Sequence, residues 1–216
     1  MFKIAAVALV ALVSGSAMAD SGFYVLGGLG QSQTSARQDQ VNTSLRNLGV
    51  TDLESDDDAK RWAGKLQLGY QLLDNLAIEG GYTNLSHYRY ASGAEVDGEF
   101  MSREGKIATR AWNLDLVGGL PVAESVRLLG RLGTARYSLK FDCQGTGSDC
   151  ENPRRKAKGN ALHYGLGLEW RFAPSWFARA EYEVFRKVGD SLNAEGSTGT
   201  TRADISLTSL SLGYRF

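Results

Sequence analysis

Eight segments of this chain alternate apolar and polar residues with a period of two, the pattern of a β-strand with two unlike faces. The connections after the second, fourth and sixth segments are tight (LDN, PVAE and APS), whereas the other four are long and polar. Strict alternation of short and long connections indicates an antiparallel up-and-down sheet with an even number of strands. The segments are 22–32, 60–72, 76–88, 107–120, 125–141, 160–172, 176–188 and 204–216.

The two faces of these segments differ in a way that indicates where lipid lies. In 160–172 one face carries Leu162, Leu166 and Trp170, and the other carries glycines beside charged residues. A soluble lipocalin-like barrel would place the charged face in water, where repeated glycines have no evident use. In a narrow lumen, small residues make room for long charged ones. We therefore predict an all-β fold, an eight-stranded antiparallel up-and-down transmembrane β-barrel with its apolar face in lipid.

The first residues indicate the cellular compartment of the protein. Lys3 precedes an apolar stretch that ends at Val13, and Ala17-Met18-Ala19 is a small-x-small cleavage site, so 1–19 is predicted to be a signal peptide. The apolar run is shorter than the ~20 residues of a membrane-spanning helix. The predicted domains are the signal peptide, 1–19, and an outer-membrane barrel, 20–216. Loss of Lys3 leaves 23 basic and 24 acidic residues, and this balance gives no indication of a nucleic-acid partner.

Two stretches resemble a known family. GLEWRFAPSWFARAEYEVF (167–185) resembles the sixth strand, tight turn and seventh strand of the OmpA N-terminal barrel and its OmpX/Ail-like relatives, and LSLGYRF (210–216) resembles the family's closing strand. The resemblance implies the cell outer membrane, with Tyr214 and Phe216 as the signal to the outer-membrane assembly machinery. The chain shows no counterpart of the peptidoglycan-binding domain of full-length OmpA proteins. The resemblance therefore gives no grounds to infer anchoring to the cell wall.

The last segment contains one irregularity. Ile205 and Leu207 are out of phase with Leu210 and Leu212. We expect either a β-bulge near Thr208 or an outer end of the strand that lies above the lipid.

The polar faces carry an array of charges that should point into the lumen. The inward residues by parity are Lys65, Glu79, Asp115, Arg127, Arg131, Glu169, Arg179, Glu181 and Glu183. We predict a lumen charge network made of Lys65, Glu79, Arg131, Glu169, Arg179 and Glu181, since confined charges must pair or hold water. By resemblance, Glu79, Glu169 and Arg179 match the interior charges that plug the OmpA barrel, and Val117 stands at the family's lysine position.

The lumen leaves two functions open. A static polar core is the ordinary state of such barrels. A small gated ion pore is the alternative, and its gate would have to use Lys65 or Arg131 in place of the family's lysine.

The only two cysteines, Cys143 and Cys150, lie in the long connection after the fifth segment of an exported chain, and we predict a disulfide that closes CQGTGSDC. A metal site there is the weaker interpretation, because two thiols without a nearby histidine are an incomplete ligand set. No cofactor is expected.

An enzyme acting on lipids is the third hypothesis. It would need a nucleophile and a base within reach. Ser86 and His87 are adjacent, so strand alternation points them to opposite faces. We expect no catalytic residues.

The long connections are candidates for contact with partners. The segment 33–59 ends in the acidic run Asp56-Asp57-Asp58, and 89–106 and 189–203 are predicted to be flexible surface segments. In the family that this chain resembles, such loops carry adhesion, phage or host-factor contacts. The resemblance therefore implies a structural or interaction protein of the envelope, with roles in envelope integrity, surface adhesion or host and phage contact. Expected partners are outer-membrane lipid, lipopolysaccharide and an extracellular ligand, and the protein is expected to be a monomer.

Overall fold

The computed structural model describes residues 22–35, 61–96, 99–145, 154–188 and 203–216. Eight antiparallel strands form a closed barrel in chain order, as the sequence predicted. The strands are β1 (Phe23–Ser35), β2 (Arg61–Leu73), β3 (Leu76–Val96), β4 (Glu99–Ala123), β5 (Val126–Gly145), β6 (Arg154–Arg171), β7 (Trp176–Val188) and β8 (Ala203–Arg215). Within these residues, no helix is long and apolar enough to cross a membrane.

Closure joins β8 to β1 from Tyr24↔Arg215 to Ser35↔Asp204 without a break. This pairing gives the backbone groups of both edge strands their partners, which a strand in lipid requires. The predicted bulge near Thr208 is wrong, because the pairing of β8 with both neighbours is regular there. Ile205 and Leu207 point inward, on the same face as Ser209, because the lumen is apolar at that level.

The segment 89–106 is also not the surface loop that the sequence predicted. Its residues extend β3 and β4 as a regular ladder from Arg89↔Lys106 to Val96↔Glu99. The pairing shifts once, between Asn84 and Ser86. The backbone pairing of this hairpin satisfies groups that a polar sequence would otherwise offer to water.

The outer face of the barrel is a belt of exposed leucines with aromatic residues at its two ends. Trp62 and Trp112 lie toward the long-loop end, and Trp170, Trp176 and Tyr214 lie at the tight-turn end. Trp176 and Tyr214 pack edge to face, with ring centroids 5.0 Å apart. An apolar band between two aromatic girdles is the exterior of an outer-membrane barrel.

The lumen is filled in three layers. The tight-turn end holds an apolar layer of Tyr24, Leu26, Ala77, Val117, Leu129 and Phe177. The long-loop end holds a larger one of Ala63, Leu85, Ala111, Ala135, Tyr137, Ala161, Phe185, Val188, Ile205 and Leu207. Buried polar and charged side chains occupy the space between them.

Glycine makes the tight-turn layer possible. A Cβ on Gly69 would lie 2.1 Å from the ring of Tyr24, and one on Gly213 would lie 2.1 Å from the ring of Phe177. Both rings therefore lie directly against glycine backbone. The sequence predicted that inward glycines make room for large side chains in a narrow lumen, and these two contacts agree with that prediction.

Candidate functional site

The buried charges of the middle layer come from six strands. Lys65 lies on β2, Glu79 on β3, Asp115 on β4, Arg131 on β5, Glu169 on β6, and Arg179, Glu181 and Glu183 on β7. Each occupies an inward position of an alternating strand, so the two-residue period alone places it in the lumen. All six predicted residues of the lumen charge network are among them.

Arg131 is the centre of the network. Its guanidinium lies 2.5 Å from Glu181, 2.8 Å from Glu183 and 2.9 Å from Glu79. Asp115 is 3.5 Å away, and the amide oxygen of Gln67 accepts a further hydrogen bond at 3.3 Å. One side chain thereby links β2, β3, β4, β5 and β7.

Arg179 forms the part of the network nearest the tight turns. Its Nη1 lies 2.5 Å from Glu79 and its Nε lies 2.9 Å from Glu169. The Tyr24 hydroxyl donates to Glu79 at 2.6 Å, and the Arg179 guanidinium lies 5.3 Å from the centre of that ring. Glu79 therefore receives hydrogen bonds from two arginines and a tyrosine.

Lys65 completes the opposite side of the network. Its ammonium group lies 2.5 Å from Glu181 and 2.7 Å from Glu183. Val117, at the position where the family has a lysine, lies in the apolar layer at the tight-turn end. The cations available to Glu181 are thus Arg131 and Lys65.

His163 is a member of the cluster that the predicted network did not include. Its Nδ1 lies 2.8 Å from Asp115, its Nε2 lies 3.5 Å from Glu183, and its ring stacks on Phe185 with centroids 4.1 Å apart. The period of two places His163 on the inward face of β6. Its partners depend on the register of the strands across the barrel, which the period does not specify. Tyr24 was missed because both faces of β1 are apolar near its start.

Arg127 was also predicted to point inward, but it does not join the cluster. Its guanidinium donates to the carbonyl of Asp74 in the first tight turn. It therefore braces a turn at the end of the barrel.

Several predicted features lie outside the described residues. These are the signal peptide, the acidic run 56–58, Cys150, and the side chains of Cys143, Ser86 and His87. The disulfide and the environment of His87 stay predictions. Tyr214 and Phe216 are described, with ring centroids 5.3 Å apart, and the Phe216 amide donates to the carbonyl of Phe23 at 3.1 Å.

In the part of the chain that the structure describes, no three His, Cys, Asp or Glu side chains are grouped to hold a metal ion. The acidic side chains of the lumen are instead directed at arginine and lysine.

The fold and the filled lumen define a class of protein, the small outer-membrane β-barrel with a plugged interior. Residues 5–216 match the family described as the outer membrane protein beta-barrel domain. The chain belongs to this family, and its place is the outer membrane of the cell.

Curated relatives agree with this assignment. Outer membrane protein A of Escherichia fergusonii and that of Shigella dysenteriae are each 27% identical over 150 residues, which cover 68% of this chain. The matched region is 38% of each relative's length, so the chain spans well under half of these proteins. The predicted resemblance to the OmpA barrel is confirmed.

Solved structures show the same fold at lower identity. Ail, the attachment invasion locus protein of Yersinia pestis, superposes with a TM-score of 0.52 at 18% identity, covering 91% of this chain and 99% of Ail. Neisserial surface protein A gives 0.57 at 13% identity, covering 91% and 98%. The N-terminal barrel of Pseudomonas aeruginosa OprF gives 0.50 at 12%, covering 91% and 98%.

Proposed function

We propose that this protein is a non-conducting structural and interaction barrel of the outer membrane, a monomer that carries its contact surfaces at the long-loop end. The observation that carries the first half of this proposal is the sealed charge network. Its ion-pairing residues are at most 6% exposed, and an apolar layer lies on each side of them. An ion crossing the lumen would have to break buried ion pairs and pass two layers of hydrocarbon, both of which are costly.

Electrical recording tests the non-conducting role. We expect wild-type protein reconstituted in planar bilayers to give no discrete current steps above the lipid background. Glu79→Gln and Arg179→Gln should both stay silent, because the apolar layers remain. Arg171→Gln is the matched control, since Arg171 is exposed at the tight-turn end and outside the network.

A gated pore is the second candidate, and one observation favours it. Arg131 and Arg179 each lie within ion-pair distance of several carboxylates, so either cation has alternative partners to move between. Wild-type current steps that change in Glu79→Gln but persist in Arg171→Gln would establish the pore and refute the static core.

The interaction half of the proposal is supported by the extended hairpin of β3 and β4. It continues as a paired ladder to Val96↔Glu99, beyond the last row whose side chains are described. Backbone pairing orders a chain before it binds, so less conformational entropy is lost when a partner is bound. Surface adhesion and host or phage contact are the roles we propose for it, together with a contribution to envelope integrity.

Shortening the hairpin tests this role. Removal of 92–103 takes out paired positions from both strands, because Ser92 pairs with Arg103. The shortened barrel should still fold and run as a compact band on an unheated gel, while cells displaying it should adhere less than cells displaying the full chain. Equal adhesion would refute the hairpin as the contact surface.

We also propose that the protein is not an enzyme. The two nitrogens of His163 face the carboxylates of Asp115 and Glu183, so the ring is held between two anions. Among the described side chains the hydroxyl of Ser209 is directed at Glu183, not at this histidine. Lipid A from cells that carry the wild-type protein and from cells that carry the His87→Ala variant should give identical mass spectra. A lipid A modification that is lost in the variant cells would refute the proposal.

A further inference from the structure

The outward face of β4, β5 and β6 carries an unusual patch of positive charge. Five exposed basic side chains lie there on three adjacent strands, and we call them the basic patch: Arg110, Arg136, Lys140, Lys156 and Lys158. They begin where the leucine belt ends, on the same outward face.

Strand register shows that the patch is a compact lattice. Three residues in a row are directly opposite one another, and successive rows are two residues apart along each strand. The rows, outward from the belt, are Trp112–Arg136–Asn160, Arg110–Ser138–Lys158 and Ala108–Lys140–Lys156. Neighbouring strands are separated by about 4.8 Å and rows by about 7 Å. Five of the nine positions are basic and none is acidic.

The patch holds a like-charge pair that no described side chain balances. Lys140 and Lys156 are direct cross-strand partners, an arrangement that is ordinarily destabilising. Among the side chains that the structure describes, none forms an ion pair with these five. On β7, by contrast, the exposed Arg186 lies 3.4 Å from Asp204. The next row of the lattice by backbone register is Lys106–Asp142–Arg154, in which basic residues again outnumber acidic ones.

The position of the patch restricts which ligands can reach it. Its strands continue directly from Leu132 and Leu162, whose side chains face lipid acyl chains, so the patch lies where the headgroups of the outer leaflet lie. Trp112, in the first row, is an interface aromatic. Arginine and lysine bind phosphate through charge-assisted hydrogen bonds. The spacing of the lattice allows one phosphate group to contact three or four of these cations.

We propose that the basic patch binds the phosphate-bearing headgroup of a glycolipid in the outer leaflet. The anionic headgroup occupies the space between Lys140 and Lys156 and removes their repulsion, while the acyl chains of the same lipid lie on the leucine belt. The site holds the barrel to its surrounding lipid. It is independent of the lumen and of any loop partner.

Native mass spectrometry of the mature protein released from a neutral detergent tests the site. The probes are diphosphorylated lipid A and dephosphorylated lipid A with the same acyl chains. With each cation near an anionic lipid surface contributing about 1 kcal/mol, the double variant Lys140→Gln/Lys156→Gln should raise the apparent Kd for diphosphorylated lipid A about 30-fold. Dephosphorylated lipid A should bind wild type and variant equally weakly.

The matched control removes two exposed charges elsewhere, in Arg171→Gln/Lys187→Gln, and should bind diphosphorylated lipid A as wild type does. Arg110→Gln is an independent single variant that should weaken binding about fivefold by the same reasoning. Retention of wild-type affinity in both patch variants would overturn the proposal. So would equal binding of the two lipid probes, or displacement of the lipid by inorganic phosphate or heparin at matched ionic strength, which would make the patch a site for soluble anions.

Discussion

Replacement of Arg131 by methionine tests whether the lumen network stabilises the barrel. The buried cluster contains five carboxylates, on Glu79, Asp115, Glu169, Glu181 and Glu183, which face the cations of Lys65, Arg131 and Arg179 and the imidazole of His163. Methionine keeps an unbranched apolar stem but is shorter and uncharged, so Lys65, Arg179 and His163 would be the remaining partners of the five carboxylates. Removing one partner of a buried ion pair costs about 3–5 kcal/mol because the remaining charge stays buried without compensation. We therefore expect a loss of about 3–5 kcal/mol in the free energy of unfolding.

Urea unfolding of protein folded in lipid vesicles measures this loss, with the shift of gel mobility on heating as a second readout of the closed barrel. Arg171→Met is the matched control and should change the free energy of unfolding by less than about 0.5 kcal/mol, since Arg171 is exposed. If Arg131→Met fails to fold, Arg131→Lys keeps one charge and should give an intermediate stability. A methionine variant within about 1 kcal/mol of wild type would refute the view that Arg131 balances the buried carboxylates.

Two further predictions concern packing and covalent structure. Gly213→Leu should lower the free energy of unfolding by at least about 1–3 kcal/mol, because the new Cβ would lie 2.1 Å from the Phe177 ring. Gly27→Ala is the control in the same urea titration. It should be neutral, because position 27 faces outward and the nearest atom to an added Cβ is 4.0 Å away. Cys143 and Cys150 should resist alkylation in unreduced, denatured protein and take up two alkyl groups after reduction, and labelling without reductant would refute the disulfide.

The sequence was sufficient to predict the number of strands and the orientation of most side chains. Alternation with a period of two places Glu79 and Glu169 in the lumen whatever the register, and the tight turns at LDN, PVAE and APS impose antiparallel neighbours. Strand ends were harder to predict. The ladder of 89–106 has a polar sequence typical of a loop, and it is paired because it continues two strands already held together below it.

The apolar layers inside the barrel also limited what the alternation of side chains could predict. Ile205 and Leu207 lie on the same face as Ser209. Because the inward face was expected to be polar, these two apolar residues were interpreted as a β-bulge or as the end of the lipid-embedded part of the strand. The lumen is not uniformly polar, since an apolar layer closes each end of the charge network. Side-chain hydrophobicity therefore distinguishes the lipid-facing side of a strand from its lumen-facing side only in the middle of the strand.

The sequence by itself determined that the chain forms a barrel, that the barrel has eight strands, and which face of most strands meets lipid, because these depend on local period and turn length. Only the tertiary structure decided the partners: that Arg131 binds four carboxylates from three strands, that His163 lies between Asp115 and Glu183, and that Lys140 stands opposite Lys156. Partnership across a barrel depends on the register of every intervening strand and on closure of β8 against β1. Both are properties of the closed sheet as a whole, and no single segment encodes them.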